Sequence, residues 1–294
     1  MINSPNALEP AKPSDFPCIR YLDVLRDLAG FFHNGEIPDP EREAALLLSY
    51  LMDKPVSALT ALNPEIPGFI SDNASDISRK RVDTRQPLAY LLGKWHFYGN
   101  SFLVEPGLLV PRCETELLVE LILNENENNS FSCLDIGCGS GNIAVTLAME
   151  RMFWTLTAID VDERAVSCTQ QNAINHSLAN ITVRRQDIRT FQPGFTFDMI
   201  VSNPPYIRTS ELSGLQPEVR HESQVALDGG TDGLMVYRAI ADFTAIGLRR
   251  GGLVYLEIDP PLVTGLSDLF SQIGTIEVFQ DLSGLDRFMR VTAK

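Results

Sequence analysis

The sequence predicts an α/β protein in which a seven-stranded, mostly parallel sheet, covered on both faces by helices, follows a small all-helical region. Three observations carry this prediction. From Ser132 onward short apolar runs alternate with stretches of helical spacing, whereas no strand signal stands before residue 86. A change of texture at Gln86 separates the two regions. At 294 residues, with 44% hydrophobic and 21% charged side chains, the chain has enough apolar content for two cores.

Residues 1–17, rich in Pro, Asn and Ser, are expected to form a mobile tail. They lack a basic start followed by an apolar run, and no stretch approaches about 18 apolar residues, so neither an export signal nor a membrane span is expected. Helices are predicted over residues 19–32 and 40–52, the second with Glu41 and Glu43 in its first turn, where the helix dipole favours acids. Pro55, Pro64 and Pro67 punctuate the next stretch, and another helix is expected over 71–81. From 86 to 112, Tyr90, Trp95, Phe97, Tyr98 and Phe102 interleave with Gly93, Gly99 and Gly107, which suggests short strands and turns in a connector. A helix over 114–123 and a polar stretch over 124–130 lead into the alternation. Its strands are predicted at Ser132–Ile136, Thr155–Asp160, Ile181–Arg185, Phe197–Ser202, 252–258, 276–280 and 288–293, and its helices at 142–151, 163–176, 233–248 and 261–273.

The 24 Lys and Arg against 38 Asp and Glu give a net charge of -14, which opposes unspecific adhesion to nucleic acid and favours a protein partner or small substrate. The one basic segment, Ser78-Arg79-Lys80-Arg81-Val82-Asp83-Thr84-Arg85, reads better as a solvated helix end or linker than as a nucleic-acid patch. Cys18, Cys113, Cys133, Cys138 and Cys168 form no C-x-x-C pair, which suits a reducing cytoplasm. His33, His96, His176 and His221 lack metal-ligand spacing, so no metal is expected.

Between the first predicted strand of the sheet and its helix lies Asp135-Ile136-Gly137-Cys138-Gly139-Ser140-Gly141. Open α/β sheets bind ligands at such strand ends, where glycine permits a tight turn and close approach of a ligand. The spacing G-x-G-x-G differs from the G-x-G-x-x-G commoner in dinucleotide folds. S-adenosylmethionine has a carboxylate, an ammonium and a sulfonium but no pyrophosphate, so acids beside the loop suit it. Asp135 is expected to meet the ammonium directly or through water, and the loop amides of residues 137–141 the carboxylate. Asp160, nineteen positions after Gly141, is placed to accept from both ribose hydroxyls, and Asp187 from the adenine amine, with Ile188 against the ring. Asp162 reads as a helix cap. NAD could use the same Asp160, so the fourth strand decides.

That strand ends in Asn203-Pro204-Pro205-Tyr206, where two prolines stop the sheet. An NH₂ conjugated to a carbonyl or an aromatic ring is a poor nucleophile, and two acceptors on its N–H bonds can aim its remaining face at a methyl group. The Asn203 side-chain oxygen and the Pro204 carbonyl suit that role, while Tyr206 can stack on a planar acceptor.

At these residues the chain resembles the N5-glutamine methyltransferases that modify peptide-chain release factors, the HemK/PrmC family. The resemblance extends through Gln86-Pro87-Leu88-Ala89-Tyr90, Leu109-Val110-Pro111-Arg112-Cys113-Glu114-Thr115-Glu116, Ala226-Leu227-Asp228-Gly229-Gly230-Thr231-Asp232-Gly233-Leu234, and Asp281-Leu282-Ser283-Gly284 with Arg287. It implies a Rossmann-like class I methyltransferase domain over 106–294, a β-hairpin linker over 86–105, and a helical domain over 1–85 that helps bind the release factor. It further implies S-adenosyl-L-methionine as cofactor, S-adenosyl-L-homocysteine as product, and the glutamine of a Gly-Gly-Gln tripeptide as acceptor, with Asn203 also touching the cofactor and Asn203, Pro204, Pro205 and Tyr206 the glutamine amide. A cytoplasmic monomer with no membrane or direct nucleic-acid contact is expected. Cys113, Asp259 and Leu262 depart from the family's usual Pro, Gly and nearby Gln, and the segments 112–116 and 257–259 are expected at the edge of the acceptor pocket. An adenine-N6 nucleic-acid methyltransferase, a tailoring N-methyltransferase of a small metabolite or peptide, and a non-catalytic cofactor-binding scaffold remain as alternatives.

Overall fold

The structure, a computed structural model, describes residues 19–126 and 130–294. The expected tail, Cys18 and part of the polar stretch before Ser132 lie outside the described residues. Two compact units divide the chain between Leu92 and Gly93.

In the first unit, helices α1 (Tyr21–Asn34), α2 (Pro40–Met52), α3 (Val56–Leu62), α4 (Gly68–Thr84) and α5 (Leu88–Leu92) form in sequence. Helix α1 buries Tyr21, Val24, Leu28 and Phe32, the apolar stripe of a 3.6-residue period, and α2 buries Leu47 and Leu48. Pro55 and Pro67, expected only to interrupt, stand at the N-caps of α3 and α4, where a missing N–H costs nothing and a fixed φ suits the turn. Contrary to the expectation of no strand before residue 86, β1 (Ile19–Arg20) pairs antiparallel with β2 (Glu65–Ile66), each too short to show alternation. The basic segment is structural: Arg81 is buried in an ion pair with Glu43, and Arg85 donates to the carbonyls of Gly35 and Glu36.

The second unit opens with a hairpin of β3 (Lys94–Phe97) and β4 (Asn100–Leu103). Its two-residue loop, Tyr98-Gly99, has φ of 49° and 72°, the left-handed pair that matches strand twist. After α6 (Cys113–Glu125) the alternation runs β5 (Ser132–Ile136), α7 (Asn142–Glu150), β6 (Thr155–Asp160), α8 (Glu163–Asn175), β7 (Ile181–Arg185) and β8 (Phe197–Ser202). A short α9 (Gln224–Leu227) precedes α10 (Met235–Gly247), β9 (Leu248–Glu257), α11 (Val263–Phe270), β10 (Gly274–Gln280) and β11 (Asp286–Ala293). The helix expected from 233 starts two residues later because Gly233 turns at a φ of 79°. The strand expected from 252 starts at Leu248, with a register shift against β8 that absorbs the extra residues.

Strand order is β10-β11-β9-β8-β5-β6-β7, with β11 antiparallel to both its neighbours. Alternate side chains supply two cores. Leu134, Ile200 and Val254 pack with Tyr237, Ile240 and Phe270 on one face. Cys133, Met199 and Val201 pack with Leu118, Ile122 and Leu147 on the other. Chain order reverses between β5 and β8, so their carboxyl ends open the crevice in which such sheets hold ligands. No single helix among the described residues is long and apolar enough to cross a membrane.

Candidate active site

Two cavities meet at that crevice, all within the second unit. The larger, about 440 Å³, runs over the β5–α7 loop and is lined by Gly137, Cys138, Gly139 and Ser140, by Asp160, and by Asp187 and Ile188. The smaller, about 350 Å³, is lined by Pro204 and Tyr206 together with Glu114, Glu257 and Arg287. Asn203, Pro205, Arg112, Leu109 and Ala226 border both.

Gly137 and Gly139 have φ of 75° and 57°, and an added Cβ at either would point into open space. Gly141 does not line the cavity. It starts α7, and a Cβ there would strike the Thr169 side chain at 2.7 Å. The N–H groups of Gly137 and Cys138 donate to the Ile159 carbonyl, that of Gly141 to Cys138, and that of Gly139 to Asp160 Oδ2. Fewer loop amides therefore face a ligand than the glycine spacing suggests.

The three acids stand differently. Asp135 lies behind the loop, on the α7 face of β5, where Oδ2 accepts from Ala144 N at 3.1 Å and Oδ1 is buried without a hydrogen-bond partner. Burial pushes its carboxyl up to about 7, against the pull of that amide. Asp160 ends β6 and lines the cavity, its oxygens accepting from Gly139 N at 3.1 Å and Asp162 N at 2.9 Å; burial raises it too. Asp162 caps α8 through Arg164 N, as expected. Asp187 lines the cavity but is engaged by the backbone N–H and guanidinium of Arg189, which hold its carboxyl below the usual range.

Asn203 comes directly after β8, and its Nδ2 donates to Thr115 Oγ1 of α6 at 3.2 Å; Thr115 in turn donates to Glu257 Oε2, at the end of β9, at 2.6 Å. The next turn of backbone is held from below. Ile207 N donates to Leu227 O, and Gly229 N donates back to Ile207 O. Side chains at 229 and 233 would collide with the main chain of Pro205 and Tyr206, which is why glycine stands at both.

A family model described as the methyltransferase small domain matches residues 113–241. A release factor glutamine methyltransferase of Thermodesulfovibrio yellowstonii is 33% identical over 277 residues, covering 92% of this chain and 97% of its own. The chain belongs to the release factor glutamine methyltransferase family. A second such methyltransferase, from Geobacter sulfurreducens, is 40% identical over 208 residues, covering 69% of this chain and 72% of its own. Among solved structures, a 16S rRNA methyltransferase of T. thermophilus in complex with AdoMet and guanosine has a TM-score of 0.51 at 18% identity, covering 68% of this chain and 50% of that one. The last likeness concerns the class I methyltransferase fold alone.

Within this family member, sequence reasoning left the partners of Asn203 without a role. Thr115 and Glu257 fell inside the segments expected at the pocket edge, yet nothing pointed to their bond across 142 residues. Arg112 likewise pairs with Glu222, whose side chain is buried, at 2.6 Å across 110 residues. Glu222 was not anticipated at all. Of the departures, Cys113 is exposed at the first turn of α6 and Asp259 lies 4.0 Å from Arg287, while Leu262 is buried.

Proposed function

We propose that this chain transfers the methyl group of S-adenosylmethionine to the side-chain amide nitrogen, N5, of the glutamine in the Gly-Gly-Gln motif of a peptide-chain release factor. The carrying observation is the orientation of Asn203 at the junction of the two cavities. With its NH₂ tied to Thr115, the Asn203 carbonyl oxygen is left to accept from an incoming N–H.

The larger cavity fits the cofactor. The buried, partnerless Asp135 Oδ1, behind the loop, suits an ammonium reached through water, Gly137 and Gly139 leave room against the backbone, and Asp160 retains lone pairs for ribose hydroxyls. Ile188 offers an apolar wall to the adenine ring, with Asp187 beside it. When bound, S-adenosylmethionine supplies an electrophilic methyl group on sulfur. Asn203 and the Pro204 carbonyl hold the two amide N–H bonds, and Tyr206 packs against the amide plane. Transfer in this geometry depends on positioning, since the charged N-methylated product is acidic enough to lose its proton to water. The helical residues 1–85 are assigned to holding the release factor, with the methyltransferase domain acting as a monomeric catalyst.

The experiment is methyl transfer from labelled S-adenosylmethionine to a release factor, its Gln→Ala variant and duplex DNA. Label is expected on the first alone. In single-turnover assays Asn203→Ala is expected to lower the rate roughly 10²–10³-fold, the usual loss of one preorganised partner of developing charge, with cofactor affinity within about tenfold. Label on DNA, or an Asn203→Ala chain as fast as its parent, would refute this reading.

A further inference from the structure

The Asn203 amide can face the acceptor with either end, and only one end is useful. Its oxygen accepts from a substrate N–H, whereas its NH₂ would repel the same group. Three elements converge to make the choice: Asn203 after β8, Thr115 on α6 and Glu257 at the end of β9. Glu257 is 3% exposed, and the Tyr237 hydroxyl donates to its backbone carbonyl at 2.7 Å, so the residue is fixed in place.

We infer that Glu257, acting through Thr115 and by its own contact with the Asn203 NH₂, is a positioning residue whose ionised carboxylate selects the catalytic orientation of the Asn203 amide. The inference rests on the reading of Asn203 as an acceptor for the substrate amide. Thr115 has a single hydroxyl proton. An ionised carboxylate can only accept, so that proton lies on the 2.6 Å bond to Glu257. Thr115 Oγ1 must then accept from Asn203, which brings Nδ2 to Thr115 and turns Oδ1 toward the cavities. A protonated Glu257 can instead donate to Thr115, whose hydroxyl is then released to donate to Asn203. The amide flips, and its NH₂ enters the acceptor pocket.

The surroundings set when this happens. Burial raises the Glu257 carboxyl to about 7, against the pull of the Thr115 hydroxyl and of Arg287 of β11; Glu114 of α6 adds to the rise, and a direct hydrogen bond from the Asn203 side chain opposes it. The Tyr206 and Tyr237 phenols also face it, and both are pushed up, so neither is ionised near neutral pH. Asp259, two residues on, lies beside Arg287, and Arg112, which lines the pocket, is paired with Glu222. Because the working form is the ionised one, methyl transfer is lost as pH falls through about 7 and is retained above it.

The test is the pH dependence of single-turnover methyl transfer by the full chain, with enzyme in excess of a release factor and S-adenosylmethionine saturating at each pH. The parental rate is expected to fall about tenfold per unit below the break. Glu257→Gln, which cannot ionise, is expected to lose that slope between pH 5.5 and 8. Thr115→Val is expected to lower the rate at least tenfold at high pH with KM and cofactor affinity little changed, and Thr115→Ser, which keeps the hydroxyl, to recover most of that loss. A slope that persists in Glu257→Gln, or parental transfer by Thr115→Val, overturns the inference while leaving the function standing. A parental chain that labels no release factor overturns both.

Discussion

Gly229→Ala isolates the support beneath the acceptor clamp. A Cβ built at Gly229 lies 2.8 Å from the Pro205 carbonyl oxygen, 2.8 Å from Tyr206 Cα and 2.9 Å from Gly233 Cα, all of them main-chain atoms. The backbone at 229 is not in the left-handed region, so alanine brings a collision without conformational strain. Ordinary contact begins near 3.4 Å, so the main chain must give by about 0.6 Å. Retreat of the loop is resisted because Gly229 N is bonded to Ile207 O, and Ile207 N to Leu227 O. Overpacking of this kind costs about 1–3 kcal/mol of stability. Displacement by 1 Å near the chemistry costs about 10²-fold in rate, so a shift of this size is expected to cost roughly tenfold. Single-turnover transfer should therefore fall about tenfold, while calorimetric affinity for S-adenosylmethionine stays near the parental value, since the β5–α7 loop is untouched. Gly251→Ala is the control: its φ of 71° imposes strain in open space near the start of β9, away from the clamp, so stability falls without a change in rate. A folded Gly229→Ala chain with parental transfer, or with affinity lost in step with rate, would refute the reasoning.

Buried charge leads to two further outcomes. Asp135, raised to about 7, must be ionised to meet an ammonium, so the dissociation constant of S-adenosylmethionine is expected to rise as pH falls below 7, approaching tenfold per unit, and Asp135→Asn is expected to lose that slope in calorimetry between pH 5.5 and 8. Arg81→Met leaves Glu43 without its buried cation and is expected to cost the helical unit about 3–5 kcal/mol, read by denaturant unfolding of the full chain; a loss below about 1 kcal/mol would return Arg81 to the solvated helix end that the sequence suggested.

The strands of the sheet were legible because the central ones are short apolar runs and the others alternate, all bounded by turn residues, and four of them begin and end where expected. The starts of α3 and α4 were hidden, since proline reads as a breaker unless its place at the N-cap is known. At the site, the glycine loop and Asn203-Pro204-Pro205-Tyr206 were visible as local strings. The position of Asp135 was available as well: period-two alternation puts it with Cys133 on the α7 face, away from Leu134 and Ile136. What no local pattern carries is the Asn203–Thr115–Glu257 chain, whose members meet only after β8, β9 and α6 have packed.

The packing also bears on which acceptors the smaller cavity suits. Its cations are Arg112 and Arg287, and each is committed, the first to buried Glu222 at 2.6 Å and the second to Asp281 at 3.2 Å. A nucleic-acid acceptor needs cations for its phosphates, and a chain carrying -14 overall offers little long-range attraction to compensate. A glutamine side chain asks for neither. It is neutral and planar, and it presents two N–H bonds, the number that the proposed pair of acceptors, the Asn203 oxygen and the Pro204 carbonyl, would take. Freeing a cation is therefore the sharpest challenge to this preference. Glu222→Gln leaves Arg112 without its counter-ion, and if phosphate contacts were all that duplex DNA lacked, that variant would begin to bind and methylate it.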